Sequence, residues 1–322
     1  MNNYTQALGA ATLRFLPVGL VCALVILLTG CRQEPSDAVH GYVVRIAYLP
    51  ITHSAAVMAL PHVADGTYDI QLVRFSAWPE VVEALRARRV DGASMLMEVA
   101  IRAFEMDDSL VTVSLSHRDG NVIVVDNSIE SFQDLIGQTV AIPHMLSPHY
   151  SLLRMAFERE GMSVDDVNLV EISPAEMPFT MAARAISAYV VAEPWGSLAE
   201  ARGIGRILER SNEILPDSVC CLLVFNNNLL EEHDGLLDWL LKNFEVAAGH
   251  AQDASEEVFA AFRNSTRFER EIIEQSLANT NFHDLTFTEY DFNRAAEYIL
   301  RFGVLEDMPN FNAFIAGNCC HE

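Results

Sequence analysis

The chain has 322 residues, of which 51% are hydrophobic, and its 44 acidic side chains outnumber 21 basic ones to give a net charge of −23. A body this acidic repels nucleic acid and anionic lipid headgroups at long range, which excludes both as partners. The sequence also lacks Gly-x-Ser-x-Gly, His-Glu-x-x-His and phosphate-loop patterns, so the commonest hydrolase, metalloprotease and nucleotide-binding signatures are excluded.

The first feature in chain order is an apolar run over residues 15–28, preceded by one charge, Arg14, and closed by Leu28-Thr29-Gly30-Cys31. The run has the length of a signal-peptide core and is short for a membrane span. Small residues ahead of a cysteine form the pattern of a bacterial lipoprotein signal. Cleavage after Gly30 would leave Cys31 as the lipidated first residue, so residues 1–30 are assigned as signal peptide and 31–42 as a polar tether. The protein is then expected in the cell envelope, on the extracytoplasmic side and lipid-anchored. Arg32 is not the aspartate associated with inner-membrane retention, so the sequence leaves open which membrane carries the anchor. Removing the signal leaves 292 residues with 20 basic and 44 acidic side chains, enough for two lobes with cores of their own.

Strand and helix patterns then alternate. Strands are expected at 43–49, 70–75 and 92–96, with helices at 53–60, 79–88 and 98–105. Two further strands, 111–115 and 121–125, flank a polar turn at 117–120. A second alternating unit follows: a short helix at 131–135, a strand at 139–143, a helix at 148–160, a strand at 168–172, a helix from Pro174 and a strand at 188–192. From Leu229 onward, apolar residues recur at helical spacing. Such alternation predicts an α/β fold with mainly parallel sheets. The lobes are placed at 43–122 with 228–322, and at 123–227.

One kind of junction recurs after the predicted strands, in Ser76-Ala-Trp-Pro79, Ser147-Pro148, Ser173-Pro-Ala-Glu176 and Glu193-Pro-Trp195. Proline suits a first helical turn, serine can cap it, and Ser173 with Glu176 has capping-box spacing. Helix starts at the carboxyl ends of parallel strands would converge on a cleft and offer N–H groups to a polar or anionic ligand. The candidate ligand-binding residues near these turns are His53, Ser54, Trp78, Ser94, His144, Ser147, His149, Glu193 and Trp195. Glu193 could instead cap its own helix. No catalytic residue, metal or cofactor is assigned. Cys220-Cys221 and Cys319-Cys320 leave three readings open: a bridge between the pairs, a soft-metal site near His321, or buried strand residues within 219–225.

Several segments carry a resemblance to a known family. They are Val44-Arg-Ile-Ala-Tyr-Leu-Pro50, Trp78-Pro-Glu-Val-Val-Glu-Ala-Leu85, Val90-Asp-Gly-Ala-Ser-Met-Leu96, residues 132–143, residues 147–154 and Ala192-Glu-Pro-Trp195. The chain resembles the nitrate/sulfonate/taurine/bicarbonate (NMT1/THI5-like) group of ABC-transporter substrate-binding proteins, which includes binders of thiamine-pyrimidine precursors. The resemblance implies a two-lobed type II periplasmic-binding-protein fold, a mainly parallel sheet flanked by helices in each lobe, and a helical C-terminal tail. It also implies a non-enzymatic monomer that captures a small anion or polar solute and delivers it to an ABC permease and its ATPase. A pyrimidine-precursor binder, an enzyme of the pyrimidine-synthase type and a sensing subunit for a membrane kinase are the alternatives. One departure stands out: nitrate and bicarbonate binders of this type often use a lysine, whereas the single lysine here, Lys242, falls in a tail helix.

Overall fold

The computed structural model describes residues 42–317. The lipoprotein signal, Cys31, Cys319, Cys320 and His321 lie outside the described residues. Strands β1 (Val43–Tyr48), β2 (Asp69–Arg74), β3 (Gly92–Leu96) and β4 (Leu110–Leu115) alternate with helices α1 (Ala55–Val63), α2 (Trp78–Arg86) and α3 (Met97–Met106). A two-residue strand β5 (Arg118–Asp119) leads into β6 (Asn121–Asp126). Strands β7 (Thr139–Ile142), β8 (Asn168–Glu171), β9 (Ala188–Ala192) and β10 (Gly205–Arg210) follow, with helices α4 (Pro148–Arg159), α5 (Met177–Ala182) and α6 (Trp195–Ala201) between them. The chain closes with β11 (Cys221–Asn226), helices α7 (Leu236–Gln252), α8 (Glu256–Ser265) and α9 (Arg270–Ala278), strand β12 (Thr280–Asn281) and helix α10 (Glu289–Arg301). Among the described residues, no helix is long and apolar enough to cross a membrane.

Two five-stranded sheets result, ordered β2-β1-β3-β11-β4 and β10-β6-β9-β7-β8. Strands β1, β2 and β3 are mutually parallel, as are β7, β8 and β9, and β11 and β6 run against their neighbours. The fold is thus two-lobed and α/β. Each lobe shows why its central strands are largely apolar and buried: both faces are covered. In the first sheet, Val44, Ile46 and Tyr48 meet α1 and α7, while Ala47 and Leu49 face Trp78, Val81 and Leu85 of α2. In the second, Ile123, Val125, Val140 and Val190 pack on Leu153 and Phe157 of α4, while Val122, Val124, Tyr189 and Val191 meet Met177 and Met181 of α5.

Three expectations change. Strand β11 bonds to β3 and β4, so residues 221–226, expected in the second lobe, lie in the first sheet, and β6 already joins the second sheet at Asn121. An apolar run announces a buried strand, but its partner is set by register elsewhere in the chain. The polar turn expected at 117–120 is buried and holds β5, paired with β12. The Ser173–Glu176 capping box does not form: the Glu176 N–H meets the Ser173 backbone carbonyl at 2.9 Å, and the helix begins only at Met177.

Candidate functional site

The two segments that pass between the sheets run side by side. Arg118 bridges to Val219 in antiparallel fashion, the Asp119 N–H donates to the Ser218 carbonyl at 3.0 Å, and the Ser218 N–H and hydroxyl donate to Asp119 Oδ1. The Arg118 guanidinium holds Asp291 with two bonds of 2.7 and 3.1 Å. Burial works against the charge on Arg118, yet Asp291 more than offsets it and keeps the guanidinium protonated. A pair this buried fixes the crossover rigidly, because losing either partner strands the other charge.

Four chemically active side chains meet at this crossover: His53, His117, Cys220 and Cys221, all fully buried. Their ligating atoms lie within 4.8 Å of one another. His53 follows β1 in a single 3₁₀ turn, Thr52–Ser54. Its Nε2 bonds the Gly120 carbonyl at 2.9 Å, which assigns the proton to Nε2 and turns the lone pair of Nδ1 toward the thiols. Cys220 Sγ lies 3.6 Å and Cys221 Sγ 4.0 Å from that nitrogen, and the two sulfurs are 3.8 Å apart. The rings of His53 and His117 stack with centroids 3.6 Å apart. Gly120, in the left-handed region with φ +81°, leaves room for this: a Cβ there would sit 2.8 Å from His53 Nε2.

The electrostatics are those of a dry polar centre. Burial raises the Cys220 thiol, but Cys221, His53 and His117 outweigh it and bring it well below the ordinary thiol range. Burial, with Cys220 beside it, pushes Cys221 well above that range. Burial lowers both His117 and His149 to about 4. Both therefore stand neutral. Burial also lifts the Glu98 carboxyl well above the carboxylate range, where Cys220 adds to the shift.

Buried polar atoms without hydrogen-bond partners mark the region around the crossover. They include Thr52 Oγ1, Ser54 Oγ, both oxygens of Glu98, both ring nitrogens of His117 and of His149, the Asn121 amide, Ser151 Oγ, and the indole nitrogens of Trp78 and Trp195. Native proteins leave few such groups, since each costs about 1–3 kcal/mol. These come from both sheets and their first helical turns.

A separate cleft of about 470 Å³ opens between the carboxyl ends of β1 and β2 and those of β8 and β9. Arg74, Ser76, Ser173, Glu176, Trp195, Arg202 and Arg267 line it, with Phe179 and Phe268 as apolar walls. The Trp195 and Phe268 rings meet edge to face at 4.9 Å.

The predicted residues therefore divide. His53 joins the cysteine cluster, and His149 is buried in the first turn of α4 with both ring nitrogens unpartnered. Ser54 is buried and unpartnered nearby in sequence. Glu193 is fully buried and caps its own helix: its carboxylate accepts from the Ser197 N–H (2.9 Å), the Ser197 hydroxyl (2.8 Å) and Asn279 Nδ2 (3.0 Å). The Glu193 carbonyl also accepts from the Thr52 N–H at 2.8 Å, which ties the His53 turn to the start of α6. Ser147 caps α4 by accepting the Tyr150 N–H. His144 Nδ1 accepts the Leu146 N–H within the preceding turn. Ser94 donates to the Ser116 hydroxyl at 2.9 Å. Trp78 sits in the apolar core, 2% exposed, and Trp195 lines the cleft. Cys220 and Cys221 are free thiols. Thr52, Glu98, His117 and Asn121 were not legible as site residues, since His117 reads locally as part of a turn.

Comparisons with known proteins agree with this architecture. A model of the NMT1-like family matches residues 42–261. Among solved structures, a ligand-binding component of an ABC-type import system from Staphylococcus aureus, with zinc bound, superposes with TM-score 0.81 at 29% identity, covering 88% of this chain and 99% of that one. The periplasmic nitrate-binding protein NrtA of Synechocystis superposes with TM-score 0.72 at 15% identity, covering 82% of each chain. The alkanesulfonate-binding protein SsuA of Xanthomonas axonopodis gives 0.70 at 17%, covering 84% of this chain and 96% of that one. NrtA and SsuA share the fold. Among curated proteins, the nitrate import ATP-binding protein NrtC of Synechocystis is 24% identical over 193 residues, 52% of this chain. The bicarbonate transport ATP-binding protein CmpC of the same organism is 26% identical over an equal length. The chain spans 29% of the length of each.

Proposed function

The chain belongs to the NMT1-like family, and from that premise we propose that it is the solute-binding component of an ABC importer, capturing a small anion or polar solute between its lobes. It is lipid-anchored through Cys31 on the extracytoplasmic side and passes the solute to a membrane permease driven by an ATPase. The observation that carries this reading is the set of buried polar atoms outside the cysteine cluster that lack partners on both lobes, Ser54, Ser151 and Trp195 among them, which a bound solute would satisfy. The inter-lobe cleft supports it, since such clefts are favoured ligand positions and its volume suits a small molecule.

The missing lysine is accounted for. Lys242 is exposed and meets Asp65 at 3.5 Å, away from the cleft. Arg74 and Arg267 line the cleft instead, beside Arg202, which is paired with Glu269, and guanidinium groups match planar or tetrahedral oxyanions well. The relatives bearing nitrate, bicarbonate and sulfonate names support an anion of that kind.

The test is a thermal-shift panel of nitrate, bicarbonate, an alkanesulfonate, taurine and a pyrimidine. A solute present at a hundred times its Kd stabilises by about 2.7 kcal/mol, which for a chain of this size raises Tm by roughly 4 °C. If none of these solutes shifts Tm at millimolar concentration, the import reading fails. A permease and ATPase encoded beside the gene, rather than a kinase, separate transport from sensing.

A further inference from the structure

We propose that His53, His117, Cys220 and Cys221 form a tetrahedral site for a thiophilic d¹⁰ cation of the zinc class, built into the crossover between the lobes. The inference goes beyond solute capture and does not depend on which solute the cleft takes.

The spacing is that of a coordination shell. Zinc lies about 2.3 Å from thiolate sulfur and about 2.0–2.1 Å from imidazole nitrogen, so a tetrahedral centre separates its sulfurs by about 3.8 Å and each sulfur from a nitrogen by about 3.6 Å. The observed separations are 3.8 Å between the sulfurs and 3.6 and 4.0 Å from them to His53 Nδ1. A cation would need little rearrangement of these groups. Two sulfurs and two imidazoles also select by chemistry, since thiolates exclude Mg²⁺ and Ca²⁺ in favour of zinc-like ions.

The supporting shell has the form metal sites use. His53 donates its other ring N–H to the Gly120 carbonyl, which presets the tautomer and aims Nδ1 at the thiols. Hydrogen bonding among thiols and His53 alone accounts for three of the four groups. The fourth, His117, is buried beside them with its ring against His53, and a cation would take one of its ring nitrogens as a ligand.

The test uses the full chain purified in detergent, kept reduced, stripped with a chelator and titrated with Co²⁺ alone. The expected result is one equivalent bound, with thiolate-to-cobalt charge-transfer absorption and tetrahedral d–d bands, both abolished when Zn²⁺ displaces Co²⁺. The double variant Cys220→Ser/Cys221→Ser should lose the charge-transfer band. His117→Gln, which keeps both thiols, should weaken Co²⁺ binding by roughly tenfold or more, the scale set even by outer-shell partners. Cys319→Ser/Cys320→Ser should leave the spectrum unchanged. The proposal is overturned if no stoichiometric spectrum appears, if it survives loss of Cys220 and Cys221, or if it vanishes with Cys319 and Cys320. A stripped chain that still gives a thermal shift with a small anion preserves the import reading while this site fails, so the two are separable.

Discussion

His149 shows what burial does to a single side chain. Its imidazole has a pKa near 4 in the fold against 6.5 for the free group, because the interior disfavours the charged ring. The unfolded chain thus binds more protons than the folded one between those values, and stability falls as pH drops from about 6.5 to about 4. At about 1.36 kcal/mol per unit, this one group contributes up to about 3 kcal/mol of that loss. His149→Gln should flatten the acid limb of a denaturation-versus-pH profile measured on metal-free protein; an unchanged limb would show that His149 is solvated. Trp78 behaves differently. It is a core residue, so Trp78→Ala should cost about 3–5 kcal/mol in chemical denaturation whether or not solute is present. Residue identity alone could not separate these cases. His53, Ser54 and His149 stood out in the sequence as polar residues at helix starts, but His117 read as part of a polar turn because the groups around it, His53, Cys220 and Cys221, are far away in sequence.

At the scale of elements, most of the architecture was legible because each strand-and-helix unit carries its own period and punctuation. Ser147-Pro148 marks the start of α4 from local chemistry, and Ser147→Ala should cost about 1 kcal/mol by urea denaturation, since its hydroxyl satisfies the Tyr150 N–H. Glu193 likewise proved to be a cap, as its short distance to Ser197 allowed. Sheet membership was not legible, because β11 has the same apolar sequence whichever lobe it enters. Gly92 records the outcome: a Cβ there would lie 2.7 Å from the Phe225 ring and from the Val224 carbonyl of β11. Gly92→Ala should therefore destabilise by several kcal/mol, as overpacking against backbone does, and a change below about 1 kcal/mol would mean that β11 pairs less closely than described.

For the whole molecule, two sheets joined by a double crossover account for both readings of function. The crossover segments are locked to each other through Asp119 and Ser218, and Arg118 ties the first of them to Asp291 of α10, so motion between lobes must be taken up in few backbone positions. Arg118→Met/Asp291→Leu should therefore keep the fold while changing solute affinity, measured by calorimetry; unaltered affinity would show that the pair plays no part in closure.

The position of β11 has a consequence for assembly. It is the second-to-last strand of its sheet in space but the last to leave the ribosome, and β4 has no other strand to hold it. The N-terminal half cannot be completed during synthesis until more than a hundred further residues have been made. A nascent chain halted before Cys221 should accordingly stay protease-sensitive across β1 to β4 even where the second sheet is protected.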